Sequence, residues 1–167
     1  MKNRTSLLSL FAGLTLLLVA AWSCKPEELK DFTAVNNGDV SRLIGTWSGI
    51  SVNQRDVGAE NKNFPYKSQD ITAPMQFGNV KLTLNGTTSG TFSINYGTAP
   101  QFFKFSSGNW SVDNPSKVGT LYLVNGTDSM VMTMGSYQYL LQNRMQLKQA
   151  KTLLGKPAII YEFTFSK

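Results

Sequence analysis

The sequence predicts an all-β protein, an eight-stranded antiparallel up-and-down barrel, with a β-sandwich as the alternative architecture. Three observations carry this expectation. Short runs in which apolar and polar residues alternate recur from Ile44 to Phe165, the period that puts every second side chain on the same face of a strand. Turn signals such as Asn85-Gly86, Asn114-Pro115 and Asn125-Gly126 separate these runs at short spacing. The final run is strongly patterned, so it can pair with the first and remove both sheet edges.

Ahead of the first strand, Lys2 and Arg4 precede an apolar run from Leu7 to Ala21. That run falls short of the roughly 20 residues a spanning helix needs. With small Ser23 after it, the segment reads as an export signal over residues 1–23. Cys24 is the sole cysteine, so no intramolecular disulfide and no cysteine-based metal site can form. Ser23-Cys24 followed by a polar tether resembles the modified cysteine of a bacterial lipoprotein, although Ala21 and Trp22 depart from the usual lipobox. Cys24-Lys25-Pro26-Glu27-Glu28 resembles the surface-export signal of Bacteroidetes-type lipoproteins. These resemblances imply lipidation of Cys24 by palmitate-like chains, a tether over residues 24–40, and a barrel over residues 41–167. They also imply an outer-membrane location facing the cell surface.

Strand one is expected from Ile44 to Asn53, with Ile44, Thr46, Ser48, Ile50 and Val52 on one face and Gly45, Trp47 and Gly49 on the other. Residues 54–77 read as one long irregular loop containing Gly58, Pro65 and Pro74. Its apolar residues Phe64, Tyr66, Ile71 and Met75 suggest a lid that packs back on the body, and Asp70-Ile71-Thr72 can cap one helical turn. Further strands follow at Val80–Leu84, Phe92–Tyr96, Asn109–Val112, Leu121–Leu123 and Ser129–Met134, with Phe103-Lys104-Phe105 as a short extension. Residues 140–151 hold a seventh strand around Met145–Lys148, although Leu141, Met145, Lys148 and Thr152 also share helical spacing. The eighth strand points Ile159, Tyr161, Phe163 and Phe165 inward.

Gly45-x-Trp47 at the start of eight meandering strands, with a long first loop, resembles the lipocalin/calycin group. The order of Gln69–Thr72, Lys81–Leu84, Gly108–Asp113 and Tyr161–Phe165 resembles the lipocalin-like domains of uncharacterised Bacteroidetes lipoproteins. The resemblance implies that Gly45 and Trp47 anchor the closed end of the barrel, with a late arginine over the indole. Arg144 is the arginine available late in the chain. The Thr-Asp-Tyr signature of the main lipocalin family is absent, so transport of a hydrophobic ligand is not implied.

Histidine is absent from the whole chain, which removes Ser-His-Asp and Cys-His catalysis and histidine-ligated metals. The formal charge of +6 is scattered along the chain, without the basic stripe of a nucleic-acid binder. Asp56, Asp70, Asp113 and Asp128 sit mostly at expected turns, where aspartate organises backbone. With Glu162 they leave a carboxylate-based hydrolase as a minor enzymatic alternative; no cofactor or metal is expected. Candidate ligand contacts are Phe64, Tyr66, Tyr96, Phe102, Phe103, Trp110 and Tyr122, for a small apolar or glycan-like ligand at the open end. Filling of the core is the competing use for Phe92, Trp110, Phe163, Phe165 and the methionines 130, 132 and 134. Asp128-Ser129-Met130 resembles a Bacteroidetes O-glycosylation pattern. Two readings result: a lipid-anchored monomeric binding module, or an accessory lipoprotein with a filled barrel acting through protein contacts.

Overall fold

The alternation seen in the sequence becomes nine antiparallel strands in one sheet. The computed structural model describes residues 40–167; the export signal, Cys24 and the tether up to residue 39 lie outside the described residues. The strands are β1 (Gly45–Asp56), β2 (Ser68–Asp70), β3 (Lys81–Gly86), β4 (Gly90–Asn95), β5 (Ser107–Val112), β6 (Thr120–Asn125), β7 (Asp128–Met134), β8 (Arg144–Leu153) and β9 (Lys156–Ser166). Pairing of β1 with β9 closes the sheet. Eight strands form the closed barrel, and short β2 is added to the free edge of late β1. The β-sandwich alternative is excluded by this closure.

β1 shows why the expected split of faces fails. Its pairing with β9 slips between Gly49 and Ser51, leaving Ile50 as a bulge. The extra residue shifts the phase of the strand, so Trp47 and Val52 both point inward while Thr46 and Ile50 are exposed. Gly49 is required by a close approach: a Cβ there would collide with the carbonyl oxygen and ring of Phe77. Gly49 N–H donates to Val80 O at 2.8 Å. Early β1 pairs with β3, late β1 with β2, and the turns over residues 71–80 cover the gap between them.

Residues 54–77 are therefore not one irregular loop. β1 runs on to Asp56, which caps helix α1 (Val57–Asn61) by accepting from Ala59 N–H. After β2, Asp70 accepts from Thr72 N–H at 2.8 Å and a helical turn closes with Met75 N–H on Ile71 O. The segment 103–105 is loop rather than strand, yet Phe103 and Phe105 are buried. Residues 137–141 form helix α2 ahead of β8, so the helical spacing noted there belongs to a short helix and a strand in succession. The two-residue loop between β6 and β7 is Gly126-Thr127, with Gly126 at φ +62°.

The barrel has two unlike ends. At the closed end lie the 3-10 turn Val40–Leu43, the β3–β4 hairpin, the β5–β6 loop and α2. At the open end lie the segment from α1 to the turn at Phe77–Asn79, the β4–β5 loop, and the β6–β7 and β8–β9 hairpins. The axis between them is filled by Leu82, Leu84, Phe92, Leu121, Leu123, Met132, Met145, Leu147 and Phe165, all buried, as a barrel of this size allows. The β7–β8 seam is short, pairing Thr133 with Lys148 and Met134 with Leu147. Beyond it the β8–β9 hairpin projects past the open end, to Leu153 paired with Lys156.

Candidate ligand site at the open end

The closed end is built around Trp47, which is 1% exposed. Its indole Nε1–H donates to Leu43 O at 2.7 Å. The cation over the ring is Lys167, with Nζ 4.9 Å from the ring, while Arg144 stands exposed at the start of β8. The assignment of Arg144 as anchor is thus corrected to Lys167. Lys167 Nζ donates to Arg42 O at 3.1 Å and to Ile44 O. Burial pushes its ammonium below the ordinary lysine range. Gly45 makes room for it: φ is +120° and a Cβ would lie 2.8 Å from Lys167 Cε.

The expected ligand aromatics disperse. Trp110 is buried near the closed end, paired with Gly90 and Leu123, and its Nε1–H donates to Asn85 O at 2.8 Å. Tyr122 lies between buried Leu121 and Leu123, and strict alternation therefore turns it to the outer wall. Phe64 and Tyr66 do not pack back as a lid; they are 53% and 89% exposed. Ile71 and Met75, from the same stretch, do pack against the core.

Phe103 is buried and fills the barrel mouth, 4.8 Å from Phe163 between centroids. Phe102 stacks on Phe163 at 5.6 Å and 12° and packs against Phe77. Tyr96 meets Phe102 edge-on at 5.4 Å. Its buried hydroxyl has no well-formed hydrogen bond; burial raises the phenol's pKa, opposed by the nearby Phe103 backbone. This aromatic plug seals most of the mouth.

A cavity of about 200 Å³ lies beside the plug. Its apolar wall is Val52, Ile71, Met75, Phe102 and Phe163, and its polar groups are Gln54, Gln149, Lys151 and Tyr161. The polar row follows from register: Gln54 pairs with Tyr161 across β1–β9, and Tyr161 pairs with Gln149 across β9–β8. One step deeper the same faces present Val52, Phe163 and Leu147. Gln149 is the buried polar residue among the described residues, 8% exposed, whereas the buried side-chain polar atom without a partner there is the Tyr96 hydroxyl. Because Gln149 lines the cavity, water or a ligand's polar group there can meet its amide. No carboxylate lines this cavity.

A second, larger depression on the outside is bordered by Asp70, Thr72, Gln76 and Asn79 and opens broadly to solvent. Its polar groups are engaged with one another: Thr98 Oγ1 donates to Gln76 Oε1 and accepts from Asn79 Nδ2. Its volume reflects openness rather than enclosure.

Of the predicted contacts, the cavity therefore uses Phe102, with Tyr96 and Phe103 just behind it. Gln54, Gln149 and Lys151 were not singled out by the sequence, and Tyr161 was read there only as an inward residue of the last strand. The signal available was Gln149 itself, a polar residue two positions on from inward Met145 and Leu147 in the alternation of β8. Fold and site together define a closed antiparallel barrel with a plugged axis and a small amphipathic cavity at its open end. No family model matches the chain, and no curated protein matches it.

Proposed function

We propose that this chain is a membrane-tethered binding module that receives a small amphipathic molecule at the open end of its barrel. The observation that carries the reading is the polar row of Gln54, Tyr161 and mostly buried Gln149, which faces an apolar wall across a small cavity. A ligand's hydrogen-bonding group on these amides and its apolar part against Ile71, Met75 and Phe102 would satisfy both halves of the wall. At about 200 Å³ the cavity holds about six or seven waters' volume, below the roughly 300 Å³ at which larger ligand sites begin. The ligand is accordingly fragment-sized, and the filled axis leaves no room for a long chain.

Tethering rests on the leader and on Cys24 with its flanking Ser23 and Lys25-Pro26-Glu27-Glu28. Two or more acyl chains hold firmly where one anchors marginally. Replacing Cys24 with Ala should move the protein from the membrane to the soluble fraction; retention in the membrane fraction refutes the anchor. For the binding reading, the barrel over residues 36–167 is purified without detergent and examined by native mass spectrometry, beside Met75→Trp, which fills the cavity. A bound small mass on the parent that is missing from the variant is expected. Both proteins at their own sequence masses, with no adduct on either, refute it.

A further inference from the structure

The most exposed large apolar side chains among the described residues are Leu154 at 95%, Tyr66 at 89% and Leu153 at 69%, and all three lie at the open end, Leu153 as the last residue of β8. Leu154 is the more telling. Leu153 pairs with Lys156, so Leu154-Gly155 is a two-residue hairpin loop, with φ +51° and +75°. Positive φ at both positions is the type I′ pattern, for which Asn-Gly is the favoured pair. A leucine there is strained in its backbone and gains nothing from burial. Neither the turn nor the core explains it.

The surroundings indicate what does. Lys151 and Lys156 flank the hairpin tip and are exposed; Lys62 and Lys67 flank Phe64 and Tyr66 in the loop after α1. Neither segment, 150–158 nor 61–69, contains an acidic residue. The two loops are neighbours: Asp56 at the end of β1 accepts register pairing from Ile159 of β9 and donates its N–H to Lys67 O at 2.9 Å. α1 also packs against β9. Leucines, a phenylalanine and a tyrosine ringed by lysines match the interface of an anionic bilayer, where apolar tips enter the headgroup boundary and lysines meet lipid charge.

We infer that the open end carries a lipid-docking surface, formed by the Leu153-Leu154 hairpin tip and the Phe64/Tyr66 loop, for membranes bearing anionic headgroups. This contact requires neither acylation at Cys24 nor a ligand in the cavity, although Lys151 borders both this surface and the cavity. The barrel closes its own edges and carries its own core within residues 40–167, so residues 36–167 can be tested alone.

The experiment is flotation of this barrel with phosphatidylcholine vesicles containing phosphatidylglycerol, against pure phosphatidylcholine. Binding is expected to the anionic vesicles and to weaken with added salt. Leu153→Ser with Leu154→Asn should lower binding about tenfold. Leu154→Asn alone should raise Tm by about 2–4 °C by relieving the turn, which separates lost docking from lost folding. Absence of vesicle binding by the parent barrel overturns the inference. So does equal binding to both vesicle types, or unchanged binding by the double variant.

Discussion

Gln149→Leu separates a ligand group from a structural one. The residue is 8% exposed and lines the cavity, and Leu is close to it in volume. An unsatisfied buried amide costs about 1–3 kcal/mol. The adjoining cavity of about 200 Å³ admits water, which returns part of that cost. The free barrel should therefore become more stable by about 1 kcal/mol, or about 3 °C in Tm. Urea unfolding followed by tryptophan fluorescence measures the change. Native mass spectrometry of the same variant should show weaker retention of the small adduct. A gain in stability with a loss of binding is the pattern of a residue held for function. Destabilisation by 1 kcal/mol or more, with binding intact, would refute the reasoning, because the amide would then be satisfied and structural.

Trp47→Ala should lower stability by about 3–5 kcal/mol, because it empties the closed end and strands Leu43 O and the Lys167 ammonium. Chemical denaturation checks this, and a loss below about 1 kcal/mol would deny Trp47 its anchoring role. Acid should destabilise the barrel through Glu162 and Asp113. Burial favours the neutral form of each, but Arg55 and Lys148 at Glu162, and the Asn114, Gly119 and Thr120 N–H groups at Asp113, outweigh it and hold both below the usual carboxylate range. A depressed native pKa means fewer protons bound in the folded state. The stabilisation is thus full above about pH 4–5 and is lost as pH falls through the native values. The urea midpoint should be flat from about pH 7 to 5 and fall below about pH 4, less steeply in Glu162→Gln; an equal slope in that variant contradicts the assignment.

Local alternation made most of the barrel legible. Leu82 and Leu84, Phe92 and Ile94, Leu121 and Leu123, and Met130 and Met132 each face the core as their period requires, because a strand's two faces are set by its own sequence. The phase of β1 departs from simple alternation because a bulge at Ile50 carries no local signal, and Phe77, from far along the chain, occupies the space a Cβ at Gly49 would take. Aromatic residues were poor guides to the site for a related reason. Trp110 and Tyr122 look alike as candidates, yet register places one in the closed-end core and the other on the outer wall. Lys167 was missed because a terminal lysine has no local pattern; its role appears when β9 brings it over Trp47. The cavity was hidden because its polar row is assembled across β1, β9 and β8, and no single segment contains it.

The central claim is that the open-end cavity beside Gln149 takes up a small molecule. Its most direct test is NMR of the 15N- and methyl-labelled barrel, titrated with small aromatic and branched-chain alcohols, amides and carboxylates. The expected result is saturable shifts at the Gln149 side-chain amide and the Met75 methyl, with the Trp47 and Trp110 indoles unmoved. Titrations that leave the Gln149 amide in place, or that move only closed-end resonances, would contradict it.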